Sequence, residues 1–421
     1  MRGVGKIQAL KCPRCGWQSP SWKIFRCQAC GAVLEAVIDL GAPSLSRLRR
    51  SKDRSIWRWL EFFPLEDRAN IVSLGEGFTP LVQSPRLSEE LGLLGLWLKN
   101  DTLLPTGSLK DRSNAVGISR GRELGFTTAA VISTGNAAAS VAAYAAAAGM
   151  KSVVMVPAGT AAAKVLQAVA YGATVAVVEG GFDNEIARLY REALAEFGWY
   201  DSLSSNPYRN EGKKSYIYEM FEQLDGALPD WVIHPTAGGA GISAMWKAAG
   251  ELLALDWTKK SPRLVAAQSA AAAPIVRALG KGLDEVERVE AKPTVAESIQ
   301  VGNPAALGAR ALAAIRASKG TAVALTEDEI LEGQSLLARL AGIFAEPAGA
   351  ISVAAAKKLL EQGAIQKEET VVCNVTGHGL KQPAAVAIDK EALEPILPTL
   401  DALRERVEKI KIIRRKYSRP A

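Results

Sequence analysis

The sequence predicts an α/β protein with parallel β-sheets, preceded by a small cysteine-rich module. From residue 95 onward, short runs of aliphatic and β-branched residues alternate with stretches of helical pattern. Strands separated by helices in this way pair into parallel sheets. In addition, four of the five cysteines lie between residues 12 and 30. Because 421 residues are too many for one compact core, we expect two or three domains.

The alternating pattern assigns the elements in order, after a turn at "GEGFTP" that leads into a strand near 80–83. The further predicted strands are 96–100, 129–134, 152–157, 174–179, 231–235, 263–269 and 370–376. The predicted helices are 111–124, 137–149, 160–171, 182–197 and one from 242. Ligands of parallel sheets bind beyond the carboxyl ends of the strands. We therefore expect the functional residues in the loops that follow strands.

The organisation along the chain predicts four segments. We expect a cysteine ribbon over 1–40, an arm over 41–75, a main body over 76–395 and a basic tail over 396–421. The arm shows no clear periodicity, and we expect Trp57, Trp59 and Phe62 to pack it on the body.

The composition, 48% hydrophobic and 23% charged, is typical of a soluble globular protein. No apolar run reaches the length of a membrane span, and the alanine-rich run 137–149 is too short. The first residues lack the apolar core of a signal peptide. We therefore expect a cytoplasmic protein that does not associate with membranes.

The net charge of +7 is concentrated at the C-terminus, where 401–421 holds eight Lys or Arg and three acids. A basic tail of this kind is more often a solvated helix face or a partner contact than a nucleic-acid arm. We therefore do not expect nucleic acid as a partner. With only two histidines, a catalytic centre of several histidines is excluded, and base catalysis falls to Lys, Asp or Glu.

The cysteines form the pattern C-x2-C-x11-C-x2-C, with Cys12, Cys15, Cys27 and Cys30. Two such pairs can place four thiolates in a tetrahedron, which suits a structural Zn²⁺ with no open position for catalysis. The alternative, two disulfides, requires an oxidising compartment that nothing else in the sequence indicates. Cys373 lies in the apolar run "TVVCNV" and is predicted to be a buried strand residue.

Lys110 stands directly behind the turn "PTGSL", where a helix begins. A solvated lysine is the simplest interpretation, but the positive end of a helix repels cations. We expect something to compensate for that repulsion.

Three loops after strands suggest what compensates. The loop "STGN" (133–136) exposes amides at a helix N-terminus, either as an anion cradle or as an ordinary N-cap. The small residues of "TAGGAGIS" (236–243) permit the close backbone approach that a phosphate needs, although the P-loop pattern is absent. In "VTGHGLK", Thr376 directly follows a strand. Together with Lys110, these loops can hold pyridoxal phosphate, whose aldehyde would neutralise the lysine as a Schiff base.

The motifs "PTGSLKDR", "STGNAAAS", "SSNPYRNEG", "IQVGNPA", "GIFAEPAGA" and "VTGHGLK" resemble, in order and spacing, those of the threonine synthases. These are pyridoxal phosphate enzymes of the tryptophan-synthase-β-like group. The resemblance covers about residues 70–385 and implies a fold type II body with two parallel-sheet α/β domains. The smaller domain, about 115–205, is expected to be inserted in the larger one. Cysteine-bearing N-terminal ribbons occur in some members.

The resemblance also implies how the cofactor is held. Lys110 is expected to be the Schiff-base lysine and the catalytic residue. Asn136 would contact the ring hydroxyl, and Thr376 the pyridine nitrogen. The cofactor phosphate is expected at Gly238, Gly239, Ala240 and Gly241.

For the substrate, the resemblance implies a lyase that converts O-phosphohomoserine and water to threonine and phosphate. Ser133, Thr134 and Asn136 would hold the substrate carboxylate. Ser204 and Arg209 would bind the substrate phosphate, unless Arg209 simply pairs with the nearby Glu211. We expect a homodimer acting on a phosphorylated amino acid.

The sequence departs from the family pattern in three places. Leu203-Ser204 stands where Asn-Ser is common, "TAGGAG" where "VGNAGN" is common, and Gln300 where Arg is common. These differences leave a cysteate synthase acting on O-phosphoserine and a serine or threonine ammonia-lyase as alternatives. A zinc-ribbon nucleic-acid-binding protein is the alternative from another class, and it leaves Lys110 and the loops unexplained.

Overall fold

The computed structural model describes residues 6–180, 185–386 and 393–417. Met1–Lys381 forms one compact unit and Gln382–Ala421 a second. The strands are β1 Lys6–Lys11, β2 Glu35–Asp39, β3 Leu81–Gln83, β4 Gly95–Asn100, β5 Thr128–Ile132, β6 Lys151–Pro157, β7 Thr174–Val178, β8 Tyr200–Asp201, β9 Trp231–Pro235, β10 Arg263–Ser269, β11 Thr321–Leu325 and β12 Thr370–Val375.

The helices connect these strands and cover the sheets. They are α1 Leu45–Arg50, α2 Pro85–Leu91, α3 Lys110–Glu123, α4 Asn136–Ala147, α5 Ala162–Ala170, α6 Ala187–Phe197, α7 Pro207–Glu211, α8 Ser215–Gln223, α9 Ala240–Ala254, α10 Pro274–Gly280, α11 Ala305–Ala317, α12 Glu327–Ala341, α13 Pro347–Glu361 and α14 Leu400–Tyr417.

The first unit contains two parallel sheets, which confirms the predicted α/β class. The larger sheet has the order β11-β10-β9-β12-β4-β3, and only its edge strand β3 runs antiparallel to its neighbour. The smaller sheet, β7-β6-β5-β8, is parallel throughout. Its strands lie in the chain between β4 and β9 of the larger sheet. The ribbon strands β1 and β2 form a separate antiparallel pair.

The predicted strands match the observed ones closely, and 231–235 and 263–269 match at both ends. The sequence analysis missed β1, β2, β8 and β11, of which β8 has only two residues. The predicted helix 182–197 corresponds to α6, although residues 182–184 lie outside the described residues. Arg419 of the predicted basic tail also lies outside them.

The core lies between the sheets and their helices. Strand β12 is buried along almost its whole length, and Cys373 is fully buried as predicted. Helix α13 is buried along most of its length and packs in the same apolar cluster as strands of the larger sheet. A parallel sheet covered on both faces needs such continuous apolar strands.

The arm contains a 3₁₀ segment, Ile56–Phe62, in which every residue is buried. The ring of Trp59 stacks on that of Tyr218, with 5.0 Å between the ring centroids. Trp57 and Phe62 belong to the same apolar cluster. The aromatic residues of the arm are therefore part of the core of the first unit.

Among the described residues, no helix combines the length and the apolar character of a membrane-spanning segment.

Candidate active site

Lys110 begins α3, and its loop is held beside the loop that follows β12. The backbone N–H of Leu109 donates to the carbonyl of Thr376 over 2.8 Å, and that of His378 donates to the carbonyl of Gly107 over 2.9 Å. Gly107 has φ +77°, a conformation that favours glycine. Because β4 and β12 are neighbours in the larger sheet, the structure brings Lys110 and Thr376 together.

The two residues after the lysine fix it in place. The buried carboxylate of Asp111 accepts hydrogen bonds from the backbone N–H and the hydroxyl of Thr106, over 2.7 and 2.6 Å. Arg112 is fully buried and pairs with Asp101 over 2.8 Å and with Glu219. The "KDR" motif therefore ties the start of α3 to the preceding turn, to the end of β4 and to α8.

The Lys110 amine is partly buried and lies among charged groups. Burial and, to a smaller extent, the nearby Arg209 cation lower its pKa to about 8, against the opposing effect of the Glu346 carboxyl. Within the residues that the structure describes, this amine forms no ion pair. It is therefore available as a base or a nucleophile near neutral pH.

The glycine loop after β9 needs its small residues. Gly239 has φ +92°, and a Cβ added there would lie 2.5 Å from the Cβ of Ala311. A Cβ added at Gly241 would lie 2.2 Å from Nε2 of His234. No side chain of the described residues caps α9, which begins at Ala240. Its first amides are consequently open to an anion, and the positive helix end favours one.

His234 connects this loop to the lysine. Burial, together with the charges of Lys213 and Lys110, lowers the pKa of His234 to about 3. His234 therefore lies near Lys110 while its ring packs against Gly241. Since β9 and β12 are adjacent parallel strands, the glycine loop and Thr376 lie at the same edge of the sheet.

The loop "STGN" precedes α4 in the smaller sheet's part of the chain. The hydroxyl of Ser133 accepts a hydrogen bond from the N–H of Gly135 over 3.3 Å. Ser133 and Thr134 are partly buried. The side-chain amide of Asn136 donates to Oε1 of Glu346 over 2.9 Å. This hydrogen bond joins the start of α4 to the start of α13.

Glu346 is a site residue that the sequence analysis missed. Its buried carboxylate also accepts from the hydroxyl of Ser298 over 2.8 Å, and its backbone N–H donates to the carbonyl of Gly377 over 2.9 Å. Burial raises the pKa of this carboxyl. The available signal was the pair Glu346-Pro347 in "GIFAEPAGA", since an acid directly before a helix-starting proline lies at the positive end of that helix.

Arg209 is buried on α7 and packs closely on α3. Its Nε donates to Oδ1 of Asn114 over 2.8 Å, and a Cβ added at Gly117 would lie 2.5 Å from its Cγ. Glu211 pairs instead with Lys214 and Lys247. Among the described residues Arg209 forms no ion pair, so the structural alternative of an Arg209–Glu211 pair is wrong.

Two other residues of the predicted substrate region lie apart from these contacts. Ser204 is exposed, and its carbonyl accepts a hydrogen bond from the side chain of Asn210 over 3.1 Å. The amide of Gln300 donates to the carbonyl of Lys292 over 2.8 Å. Neither side chain contacts Lys110 or Arg209 through a hydrogen bond in the described part of the chain.

The ribbon cysteines form a compact cluster. The Sγ atoms of Cys12, Cys15, Cys27 and Cys30 all lie within 4.8 Å of one another. All five cysteines lie in the described residues, and none of them forms a disulfide there. The spacing of the four sulfur atoms fits a single tetrahedral metal.

Comparison with known proteins agrees with this geometry. The profile of the family described as "Pyridoxal-phosphate dependent enzyme" matches residues 72–377. The threonine synthase of Methanocaldococcus jannaschii is 40% identical over 393 residues, which cover 91% of this chain and 96% of that protein. The threonine synthase of Methanosarcina acetivorans is 39% identical, with 94% of this chain and 98% of that protein covered.

Solved structures show the same fold. Maize serine racemase superposes with a TM-score of 0.63 at 20% identity, covering 79% of this chain and 94% of that chain. Diaminopropionate ammonia lyase from Escherichia coli gives a TM-score of 0.62 at 19% identity, covering 77% and 94%. The chain belongs to the family of pyridoxal-phosphate dependent enzymes and, among them, to the threonine synthase family.

Proposed function

We propose that this chain is a threonine synthase, which converts O-phosphohomoserine and water to threonine and phosphate. Curated relatives of that name align over nearly the whole chain. The observation that carries the proposal is the unpaired Lys110 amine. It lies beside Thr376 and near the glycine loop, with the buried Arg209 close enough to lower its pKa.

The residues present fit pyridoxal phosphate. Gly239 and Gly241 let the loop pack tightly against Ala311 and His234, while a Cβ at Gly238 would meet only open space. The first amides of α9 have no side-chain cap among the described residues and suit a phosphate. Gly238 and Ala240 complete this loop. Thr376 would face the pyridine nitrogen through its hydroxyl, which has no hydrogen-bond partner in the described residues. Because a hydroxyl, unlike a carboxylate, does not stabilise a protonated nitrogen, we expect little transamination.

Bound pyridoxal phosphate supplies an electron sink that stabilises negative charge at the substrate's carbon atoms. Lys110 would bind the cofactor covalently in the resting enzyme. During turnover it would remove a proton from Cα and then one from Cβ. Its pKa of about 8 gives a useful fraction of neutral amine near pH 7 to 8, which a general base requires.

Asn136 would serve both ligands. Its side-chain nitrogen carries two hydrogens, of which one is used by Glu346. The second can donate to the ring hydroxyl of the cofactor or to the substrate carboxylate. Ser133 and Thr134, with the amides at the start of α4, would hold that carboxylate as well. Glu346 would then set the orientation of Asn136.

Arg209 would bind the phosphate of the substrate. Asn114 holds its Nε edge, and a planar guanidinium fixed in this way can donate two parallel hydrogen bonds from its outer edge. Ser204, five residues earlier, would add a hydroxyl to the same phosphate.

We also propose that the four ribbon cysteines hold one structural Zn²⁺. The four thiolates would fill all four coordination positions of a tetrahedral metal, so the metal would have no open position for a substrate. Its contribution would be to the stability of the ribbon.

The test is a product assay on the purified enzyme with O-phosphohomoserine, O-phosphoserine, serine and threonine in parallel. We expect threonine and inorganic phosphate in equal amounts from O-phosphohomoserine. Cysteate from O-phosphoserine and sulfite would favour a cysteate synthase. Oxo-acid and ammonia from serine or threonine alone would favour an ammonia-lyase. Steeply salt-dependent binding to DNA or RNA, without a cofactor that borohydride reduces, would favour the nucleic-acid-binding alternative.

A further inference from the structure

We infer that Lys213 is a second cation for the substrate phosphate, acting together with Arg209. This inference rests on the proposed function, because it assigns a further residue to the same substrate. Nothing in the motif comparison singled out Lys213, which follows the quoted segment "SSNPYRNEG" directly.

The backbone places Lys213 beside the start of α3. The 3₁₀ turn Gly212–Lys214 follows α7, which carries Arg209. Gly212 approaches α3 so closely that an added Cβ would lie 1.9 Å from the carbonyl oxygen of Arg112. Arg112 is in the first turn of α3, two residues after Lys110. The next residue after this contact, Lys213, therefore lies near Lys110.

The charges of these residues act on one another. Burial and, after it, the charges of Lys110 and Arg209 lower the pKa of Lys213 well below its usual value. The Arg209 cation in turn lowers the pKa of Lys110. Within 6–180, 185–386 and 393–417, none of these three cations forms an ion pair. The carboxyls of Glu346 and Asp201 act on Lys110 and Arg209 from beyond ion-pair distance. The three side chains therefore form a cluster of basic groups in which no member has a direct anionic partner among the described residues.

The neighbouring Lys214 shows that the fold can pair a buried lysine where it needs to. Its Nζ lies 2.9 Å from a carboxylate oxygen of Glu211 and 2.8 Å from one of Glu251. Lys213 is half-buried, and a cation that is partly removed from water without a partner is costly. The contrast between two adjacent lysines indicates that Lys213 is kept unpaired for an anion that comes from outside the protein.

The anion is identified by elimination among the ligands of the proposed reaction. The cofactor phosphate has the amides of α9, and the substrate carboxylate has those of α4. The remaining anion is the substrate phosphate, which carries two charges. Lys110 is assigned to proton transfer at Cα and Cβ during turnover, so Arg209 and Lys213 supply two cations for that dianion. The ammonium of Lys213 adds a point charge to the planar fork of Arg209.

The test measures binding of inorganic phosphate to the cofactor-loaded enzyme by titration calorimetry. Lys213→Gln should weaken phosphate binding tenfold or more, on the order expected for losing a hydrogen bond between charged groups. Lys213→Arg, which keeps the charge, should stay within about threefold of the unmodified enzyme. Lys52→Gln, at an exposed lysine, is the matched control and should leave the affinity unchanged.

Two further readouts separate the possible explanations. Cofactor content, measured by absorbance, should be equal in all four proteins. The kcat/KM for O-phosphohomoserine should fall in Lys213→Gln by about the same factor as the phosphate affinity. Phosphate affinity within twofold of normal in that variant would overturn the inference, and so would loss of bound cofactor, which would place Lys213 at the cofactor phosphate.

The experiments distinguish a failure of the proposed function from a failure of the inference about Lys213. If the unmodified enzyme makes no threonine but binds phosphate through Lys213, the substrate assignment fails and the anion site stands. If it makes threonine and Lys213→Gln binds phosphate normally, only the present inference fails.

Discussion

Replacing Arg209 by alanine should strongly reduce kcat/KM for phosphorylated substrates and leave the turnover of unphosphorylated ones much less affected. Arg209 is 6% exposed, and its Nε donates to Asn114 over 2.8 Å. Truncating one partner of a buried, hydrogen-bonded charge pair costs roughly 2–5 kcal/mol. At about 1.4 kcal/mol per factor of ten, kcat/KM for O-phosphohomoserine should fall roughly 30- to 5,000-fold. Arg209→Lys should recover only part of this loss, because an ammonium cannot form two parallel hydrogen bonds.

The assay compares two kinds of substrate on the same preparations. Phosphate release reports turnover of O-phosphohomoserine, and oxo-acid formation reports the slow elimination of free serine or threonine. The second rate should change far less than the first. Arg86→Ala, at an exposed arginine on α2, serves as the matched control and should change neither rate. Equal losses of rate on both kinds of substrate would mean that Arg209 stabilises the fold and does not bind the phosphate. The ammonia-lyase alternative would then be favoured.

Four other predictions follow from the same site. Lys110→Ala should abolish turnover and borohydride-stable cofactor attachment while circular dichroism shows an intact fold; near-normal activity would refute the site. Burial lowers the pKa of Lys110 to about 8, and only the neutral amine can attack the cofactor's aldehyde. The rate of cofactor uptake by the cofactor-free protein, measured by stopped flow, should therefore rise about tenfold per pH unit below pH 8 and level off above it. A rate that does not change with pH would contradict this. Gly239→Ala should weaken pyridoxal phosphate binding about tenfold or more, measured by equilibrium dialysis, because the new Cβ would lie 2.5 Å from the Cβ of Ala311. The double variant Gly239→Ala/Ala311→Gly should regain part of the lost affinity. Cys12→Ser should remove zinc, measured by metal analysis, and loosen the ribbon in hydrogen exchange; zinc-free unmodified protein would refute the metal site.

The parts of the site that follow strands could be predicted from the sequence. Thr376 and the glycine loop directly follow β12 and β9, and Lys110 begins the helix after β4. Neighbouring parallel strands bring their carboxyl ends to one edge of the sheet. The order of the motifs was enough to place them together. The residue types of a loop and the apolar pattern of a strand can both be recognised in short stretches of sequence.

The contacts between distant segments could not be predicted in this way. The hydrogen bond of Asn136 to Glu346 joins residues 210 positions apart, and no local pattern encodes it. Lys213 resembles any solvated lysine until the approach of Gly212 to α3 is seen. Ser204 was expected beside the phosphate, and its place there stays a prediction, because the structure leaves it exposed.

The predicted segment boundaries, the homodimer and the cytoplasmic location also stay predictions. A boundary between packed segments depends on which contacts persist when one segment moves. An oligomer depends on a second copy of the chain, whose contacts leave no periodic pattern in this sequence. Size-exclusion chromatography with light scattering would test the homodimer.

The buried and half-buried cations around α3 fall into two groups, and the difference between them separates scaffold from site. Arg112 and Lys99 are fully buried, and both pair with Glu219, over 2.5 and 2.6 Å. Such pairs are satisfied within the protein and hold α3, β4 and α8 in place. Arg209 and Lys213 lie near the same helix without a carboxylate partner in the described residues. The fold has acids that it uses to neutralise buried cations, so two cations left without them are placed for an anion that enters and leaves. Helix amides suffice for a cofactor phosphate that stays through every turnover. Side-chain cations are better suited to the phosphate that must be gripped more tightly as it departs, because its charge increases when the bond to carbon breaks.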